Sequence, residues 1–167
     1  MKKEIVFDSS TAILLAKIQL LSAITERLKA IFPESVKEET TRKKGIFDSK
    51  LIAKLINEGK IQVLKSHGLN VKKLIKDFNI EKGEAEALEL SIENKFPIAT
   101  DDGPSIKASK ILGIEFITAI HFLVYFYENG LLDRKIAMEK LKMLEKFGRY
   151  GSEIIKDARN RMEAGEK

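Results

Sequence analysis

The chain has no cysteine, which excludes both a disulfide framework and a thiolate metal site. It has only two histidines, His67 in a predicted loop and His121 in an apolar helical stretch. Neither has a partner at the spacing of metal ligands, so we expect no zinc site. We interpret His67 as a surface residue and His121 as a packed helix residue. The lack of cysteine also fits a reducing compartment.

Long apolar runs are absent as well. The most apolar stretch, residues 114–127, is too short to cross a bilayer and is interrupted by Glu115 and His121. The first residues include two lysines with no long apolar run after them, so the pattern of a secretory signal is missing. We therefore expect a cytoplasmic protein that does not associate with a membrane.

Three common catalytic or nucleotide-binding motifs are missing from the sequence. It contains no GxxxxGK[ST] phosphate loop, no GxGxxG after a predicted strand and no GxSxG nucleophile turn. The net charge of +5 hints at an anionic partner. A heavily charged, solvated surface explains that charge at least as well. Carboxylates remain as the side chains best placed for chemistry.

Short apolar segments alternate with helical patterns along the chain, which predicts a parallel α/β fold. We expect a three-layer α/β/α sandwich with a short-stranded parallel sheet and a helical C-terminal extension. The interpretation is one domain over residues 1–167, with its core at about 4–130 and C-terminal helices at 131–165. The predicted strands are 5–7, 30–32, 61–64, 97–100 and 114–117, and the predicted helices include 34–44 and 71–78.

Carboxylates follow two of these strands. Asp8 ends the first strand, and Asp101 and Asp102 end the fourth. The carboxyl ends of parallel strands meet at one edge of the sheet, where open α/β sheets bind ligands. Asp8 alone is explained equally well as a helix N-cap, and Asp102 can cap the helix that follows it.

Two glutamates are predicted to join that edge from neighbouring helices. Glu39 lies three residues from Val36 in the helix after the second strand, so the two share a face. Glu84 lies in the first turn of the helix before the fourth strand, on the face of the small and apolar residues. The helix dipole is an alternative reason for an acidic residue there. The same helical phase predicts that Glu86, Glu89 and Glu93 form a solvated acidic face.

Clustered carboxylates repel one another unless a cation neutralises them. A hard divalent ion such as Mg²⁺ takes oxygen ligands and can serve phosphodiester chemistry. The basic surplus would offset the repulsion between an acidic site and a nucleic acid. Candidate nucleic-acid contacts near this edge are Ser9, Lys17, Arg42, Lys43, Lys44, Lys107 and Lys110.

The ordered segments IVFDSS, PESVKEE, GEAEALELS and IATDD resemble PIN domains, the family of small metal-dependent ribonucleases that includes the VapC toxins. The resemblance spans roughly residues 5–117. It implies a parallel sheet flanked by helices, Mg²⁺ or Mn²⁺ as cofactor, RNA as substrate, frequent dimerisation and, for a toxin, an antitoxin partner. By position it implies catalytic roles for Asp8, Glu39, Glu84 and Asp102. Metal ligands would come from Asp8, Glu84, Asp101 and Asp102, with Asp102 favoured over Asp101.

Two departures from the toxins stand out. The third acidic position is usually aspartate in the toxins and is Glu84 here, and the chain after Thr118 is longer than a minimal toxin needs. A non-catalytic module that binds nucleic acid or protein on the same fold is therefore the alternative function. A receiver-like phosphoacceptor domain fits poorly, because it needs its acidic pair at the first strand.

The helix predicted at 118–129 is apolar nearly all round. Such a helix is either buried on two sides or half of a dimer contact. On the second interpretation, charged residues in place of Phe122 and Phe126 would dissociate a homodimer without unfolding it. On the first, they would unfold the chain.

Overall fold

The computed structural model describes residues 1–165, so the last two residues of the predicted domain lie outside the described part. Its five strands form one parallel sheet in the order β3-β2-β1-β4-β5. The strands are β1 Glu4–Phe7, β2 Lys29–Pro33, β3 Ile61–Leu64, β4 Ile98–Ala99 and β5 Phe116–Ile117.

Ten helices are described around this sheet. They are α1 Ser9–Lys17, α2 Leu21–Arg27, α3 Glu34–Thr41, α4 Phe47–Asn57, α5 Val71–Phe78, α6 Lys82–Asn94, α7 Gly103–Leu112, α8 Ala119–Glu128, α9 Arg134–Phe147 and α10 Ser152–Ala164. None of the described helices is long and apolar enough to cross a membrane.

Alternate residues of β1 face two separate cores, because successive side chains of a strand point to opposite sides of the sheet. Ile5 and Phe7 pack with α1, α2, α4 and α8 to α10. Val6 packs with residues of α5, α6 and α7 on the other face. The predicted three-layer α/β/α sandwich is therefore confirmed.

The C-terminal helices α9 and α10 share the core on the first face rather than standing apart. Leu141 and Leu144 of α9 and Ile155 and Met162 of α10 are buried in the same apolar cluster as Phe7. Helices α8, α9 and α10 pack on one another. This arrangement brings the loop between α9 and α10 close to the carboxyl ends of the strands.

The helix predicted at 118–129 forms as α8, and its two phenylalanines are buried. Phe122 is 5% exposed and Phe126 is 4% exposed. The ring of Phe122 stacks on that of Phe7, with centroids 5.8 Å apart. These two side chains therefore belong to the core of the monomer, and the interpretation of α8 as buried on two sides fits them.

Candidate active site

Asp8 is both the N-cap of α1 and a buried carboxylate beside β4. Its Oδ1 accepts hydrogen bonds from the Thr11 N–H at 3.2 Å and the Ser10 hydroxyl at 2.6 Å. Its Oδ2 accepts a hydrogen bond from the Thr100 hydroxyl. The residue is fully buried, and burial raises its pKa to about 7 although these hydrogen bonds oppose the shift. The negative charge of Asp101 adds to the rise.

The two aspartates after β4 contact different neighbours. Asp101 Oδ2 accepts from the Thr11 hydroxyl at 2.5 Å and from the Ala119 N–H at 3.0 Å. Asp102 is the N-cap of α7, where its Oδ2 accepts from the Ser105 N–H at 2.9 Å. Burial raises the pKa of Asp101 although its hydrogen bonds oppose the shift. Asp102 stays partly exposed.

Glu84 stands in the first turn of α6, where it forms a capping box with Glu81 and accepts from the Glu81 N–H at 2.5 Å. Its pKa is raised, first by burial and then by the negative charges of Asp102, Glu81 and Glu39. The predicted position of Glu84 beside the strand-end carboxylates agrees with these charge effects, and the helix dipole alone would not produce them.

Glu39 reaches the same edge from α3. Its Oε2 accepts a hydrogen bond from the Ser9 hydroxyl at 2.7 Å, which links α3 to the first turn of α1. The close approach of α3 and α6 depends on Gly83, where an added Cβ would lie 3.3 Å from Glu39 Oε2. Glu39 itself is solvent-exposed.

The structure thus places Asp8, Asp101, Asp102, Glu84 and Glu39 at one edge of the sheet, with different degrees of contact. Within residues 1–165, no three histidine or acidic side chains converge closely enough to hold a metal ion as they stand. The donor chemistry nevertheless fits a hard divalent ion. The donors are carboxylate oxygens, and the pKa of Glu84 is raised partly by its acidic neighbours, which a cation would relieve.

The predicted solvated face of α6 is wrong at Glu89. That side chain is fully buried, and its carboxylate accepts hydrogen bonds from the N–H groups of Gly68 at 2.7 Å and Asn70 at 2.6 Å. Glu86 accepts from the Ser35 N–H at the start of α3, and Glu93 accepts from the His67 N–H. Helical phase gave the direction of these side chains correctly but could not show that a loop and a helix end cover them.

The candidate nucleic-acid contacts lie on separate elements, and of the basic ones Lys17 and Lys110 line the cleft that Asp101 and Asp102 also line. Arg42, Lys43 and Lys44 follow α3 and are exposed. Lys107 and Lys110 are exposed on α7, and Lys110 lies over the Phe116 ring at 5.7 Å.

Lys17 and Ser9 already have partners within the chain. Lys17 Nζ lies 3.5 Å from Asp48 Oδ2 and 5.0 Å from the centre of the Phe147 ring. Ser9 is buried and donates its hydroxyl to Glu39. Binding an RNA phosphate through either residue would therefore compete with an existing contact.

The two histidines hold structural positions. His67 is exposed, and its Nδ1 lies 2.9 Å from Glu93 Oε1. His121 occupies the third position of α8, where its Nδ1 accepts from the Thr118 N–H at 3.1 Å. His121 is therefore an exposed capping residue rather than the packed helix residue that the sequence suggested.

Sequence reasoning missed four hydroxyl groups of the site, those of Ser10, Thr11, Thr100 and Tyr150. The first three flank the aspartates in the DSST and ATDD segments, so their proximity to the site could have been inferred. Tyr150 lies between α9 and α10, and its hydroxyl donates to Asp101 Oδ1. No local pattern connects it with a residue 49 positions earlier in the chain.

A cleft of about 1080 Å³ opens beside these residues. Asp101 and Asp102 line it at the sheet edge, and residues 147–150 line it on the side of the C-terminal helices. The two aspartates after β4 are therefore reached from this cleft, whereas Asp8, Glu39 and Glu84 do not line it.

A family model for PIN domains matches residues 4–164 of the chain. The chain belongs to the PIN-domain family. The match runs through α9 and into the last turn of α10, so the C-terminal helices are part of the PIN domain as the family model defines it. PIN domains are generally nucleases and typically use divalent metals. A comparison with curated proteins finds no match.

Proposed function

We propose that this PIN domain is a metal-dependent ribonuclease that hydrolyses phosphodiester bonds in RNA with Mg²⁺ or Mn²⁺. The observation that supports it best is the electrostatic coupling of Glu84 to Asp102 and Glu39 at the edge where Asp8 ends β1. Carboxylates from separate elements that repel one another are stabilised together by a divalent cation. Without such a cation, their mutual repulsion makes the folded protein less stable.

Asp8, Glu84 and Asp102 are the proposed ligands, and Glu39 is proposed to complete the acidic site. When bound, the ion would supply positive charge next to the scissile phosphate and make a nearby water more acidic. The chain's own residues hold the carboxylates in place. The Thr100 and Ser10 hydroxyls orient Asp8, the Ser9 hydroxyl orients Glu39, and the Ser105 N–H orients Asp102.

The RNA strand is proposed to reach the acidic edge with help from exposed cations. Arg42, Lys43 and Lys44 after α3 and Lys107 and Lys110 on α7 are exposed and would be available to contact phosphates. Contacts of this kind position a nucleic acid without reading its sequence and weaken as salt concentration rises. Replacing Lys43 and Lys44 by alanine should therefore raise KM and reduce its salt dependence while leaving kcat nearly unchanged.

A non-catalytic module that binds nucleic acid or protein is the second candidate. It is favoured by one observation, that both oxygens of Asp8 are already occupied by hydrogen-bond donors within the chain. In that case RNA could bind without being cut, and metal ions would not change the affinity.

Single-stranded RNA incubated with the protein and Mn²⁺ or Mg²⁺ distinguishes the two candidates. If the protein is a nuclease, the wild type cleaves the RNA. The cleavage rate should fall at least about 100-fold in Asp8→Asn and in Asp102→Asn. Asp133→Asn is the matched control, because Asp133 is also a helix N-cap but lies at the start of α9. No cleavage at saturating metal, with binding retained, would favour the non-catalytic module.

A narrower form of the proposal is a VapC-type toxin that acts in the cytoplasm and is inhibited by an antitoxin. The resemblance of the four acidic segments to that family motivates it. Expression of the protein in bacterial cells should then arrest growth, and Asp102→Asn should abolish the arrest. Co-expression of a small protein encoded next to it should restore growth. Growth unaffected by the wild-type protein would leave a nuclease with another role.

A further inference from the structure

Asp101 is held by the chain from three directions. Its Oδ1 accepts from the Tyr150 hydroxyl, and its Oδ2 accepts from the Thr11 hydroxyl at 2.5 Å and the Ala119 N–H at 3.0 Å. Its own N–H donates to the Ser10 hydroxyl oxygen at 2.9 Å. These donors come from α1, from α8 and from the loop before α10. Its three donors leave about one acceptor position of the carboxylate unoccupied, as the three donors of Asp8 do at that residue.

Asp102 has a different environment. Among the described residues, the Ser105 N–H is its one hydrogen-bond donor, and it occupies a single carboxylate oxygen. Its charge acts directly on Glu84. Of the two adjacent aspartates, Asp102 is therefore the one with a carboxylate oxygen that accepts no hydrogen bond from the described residues.

Asp101 is connected to Asp8 through one hydroxyl group. Ser10 Oγ accepts from the Asp101 N–H and donates to Asp8 Oδ1 at 2.6 Å. Thr11 contacts both aspartates, since its N–H donates to Asp8 and its hydroxyl donates to Asp101. A displacement of Asp101 would therefore shift the donors that fix Asp8.

Tyr150 is well placed to keep Asp101 in this position. Its hydroxyl oxygen accepts from the Ile120 N–H at 3.3 Å while its proton is donated to Asp101. Burial and the charge of Asp101 raise the pKa of Tyr150, so its hydroxyl remains a donor at every pH suited to an assay. The tyrosine thereby connects the C-terminal helices with the acidic edge.

We propose that Tyr150 is a positioning residue of the acidic site and that Asp101 transmits its effect to Asp8, while Asp102 remains the metal ligand that the family resemblance implies. This inference rests on the proposed metal-dependent function. It assigns a role in the site to the loop between α9 and α10. Hydrogen bonds behind metal ligands of this kind typically change metal affinity or activity ~10–100-fold when removed.

The test compares Tyr150→Phe with Tyr127→Phe. Both variants lose one tyrosine hydroxyl, and the control loses a hydrogen bond to the Met162 carbonyl oxygen, within the packed α8–α10 region. Mn²⁺ affinity is measured by isothermal titration calorimetry, kcat and KM by RNA cleavage, and stability by urea unfolding. We expect Tyr150→Phe to bind Mn²⁺ about 10-fold more weakly and to lower kcat about 10-fold with KM unchanged. Tyr127→Phe should be less stable to urea, with Mn²⁺ affinity and kcat unchanged.

The neighbouring aspartates supply a second comparison. Asp102→Asn should lose more than about 100-fold in Mn²⁺ affinity, whereas Asp101→Asn should lose about as much as Tyr150→Phe. Equal losses in Asp101→Asn and Asp102→Asn would identify Asp101 as a ligand and overturn the inference. The inference would also be overturned if Tyr150→Phe and Tyr127→Phe bound Mn²⁺ with equal affinity, or if the wild-type protein bound no Mn²⁺.

The proposed nuclease activity can fail separately. A wild-type protein that binds Mn²⁺ but cleaves no RNA would contradict the proposed function. The affinities of Tyr150→Phe and Tyr127→Phe would still decide the role of Tyr150. Conversely, if Tyr150→Phe and Tyr127→Phe cleave RNA at the same rate as the wild type, the proposed nuclease function is kept and the positioning role of Tyr150 is rejected.

Discussion

At the scale of single residues, Asp8 is both a helix cap and a proposed ligand of the metal ion. As an N-cap it satisfies a free N–H of α1, and the same carboxylate is sealed between β1 and β4. Removing a carboxylate from water penalises its charged form. Ionised Asp8 therefore destabilises the metal-free protein, and a bound cation would offset this effect. The destabilisation can be measured in the metal-free protein.

The stability of the metal-free protein should fall as Asp8 loses its proton. The folded-state pKa of Asp8 is about 7, above the ordinary value of an aspartate. The stabilisation from its neutral form is complete below pH ~4 and is lost as pH rises through ~7. Between pH 5 and 8, Asp8→Asn should gain about 2 to 3 kcal/mol in unfolding free energy relative to the wild type. Urea unfolding with a chelator measures it.

Asp133→Asn serves as the control for replacing an N-cap aspartate. The difference in unfolding free energy between this variant and the wild type should change little from pH 5 to pH 8, because Asp133 lies at an exposed helix start. Parallel pH dependence of Asp8→Asn and the wild type would show that Asp8 is ionised in the folded protein throughout that range.

At the scale of elements, buried glutamate and glycine positions hold loops against helices. The segment before α5 is fixed to α6 by Glu89, whose carboxylate binds two backbone N–H groups. The loop after α9 is fixed by Gly148 and Tyr150, which pack against each other. Each loop depends on one or two contacts, so single substitutions should affect them strongly.

Glu89→Ala should release the segment before α5. Two partly buried N–H groups would lose a charged acceptor, which costs about 2 to 3 kcal/mol in unfolding free energy. Hydrogen exchange at the amides of Gly68 and Asn70 should accelerate in the same variant. Glu93→Ala is the control, because the pair with exposed His67 lies at the surface and contributes less than about 1 kcal/mol. Equal losses in the two variants would contradict the structural role of Glu89.

Gly148→Ala should displace the loop that carries Tyr150. An added Cβ would lie 2.6 Å from the Tyr150 ring and 2.8 Å from the carbonyl oxygen of Leu144. The backbone atom cannot move away easily, so we expect a loss of about 1 to 3 kcal/mol on urea unfolding. Gly151→Ala is the matched control, since nothing lies within 4 Å of its Cβ position. A stable Gly148→Ala protein would mean that the loop adapts.

At the scale of the whole molecule, the sequence predicted the order of elements well because periodicity and turn residues are local signals. β3 and α5 begin and end where the pattern placed them, at Ile61–Leu64 and Val71–Phe78. The predicted helix at 34–44 instead ends at Thr41. There the Thr40 and Thr41 hydroxyls bond back to carbonyl oxygens of the preceding turn, and Gly45 adopts a positive φ.

The site was predictable only in part, for a physical reason. Parallel topology alone implies that Asp8 and the aspartates after β4 share an edge. Topology cannot show that the Tyr150 hydroxyl donates to Asp101, or that a loop covers Glu89. Those features arise from contacts between distant segments, which leave no periodic trace in the sequence.

The apolar helix α8 provides the last test, because it separates a monomer core from a dimer contact. Phe122→Glu places a charge among fully packed side chains and should cost more than about 4 kcal/mol, enough to unfold the chain. Tyr125→Glu, on the side of α8 where the ring is 57% exposed, should leave stability within about 0.5 kcal/mol. Size-exclusion chromatography and circular dichroism follow both variants. If the exposed side of α8 forms a homodimer, Tyr125→Glu elutes as a folded monomer. A folded, dissociated Phe122→Glu protein would instead restore the sequence-based interpretation that Phe122 lies in the dimer contact.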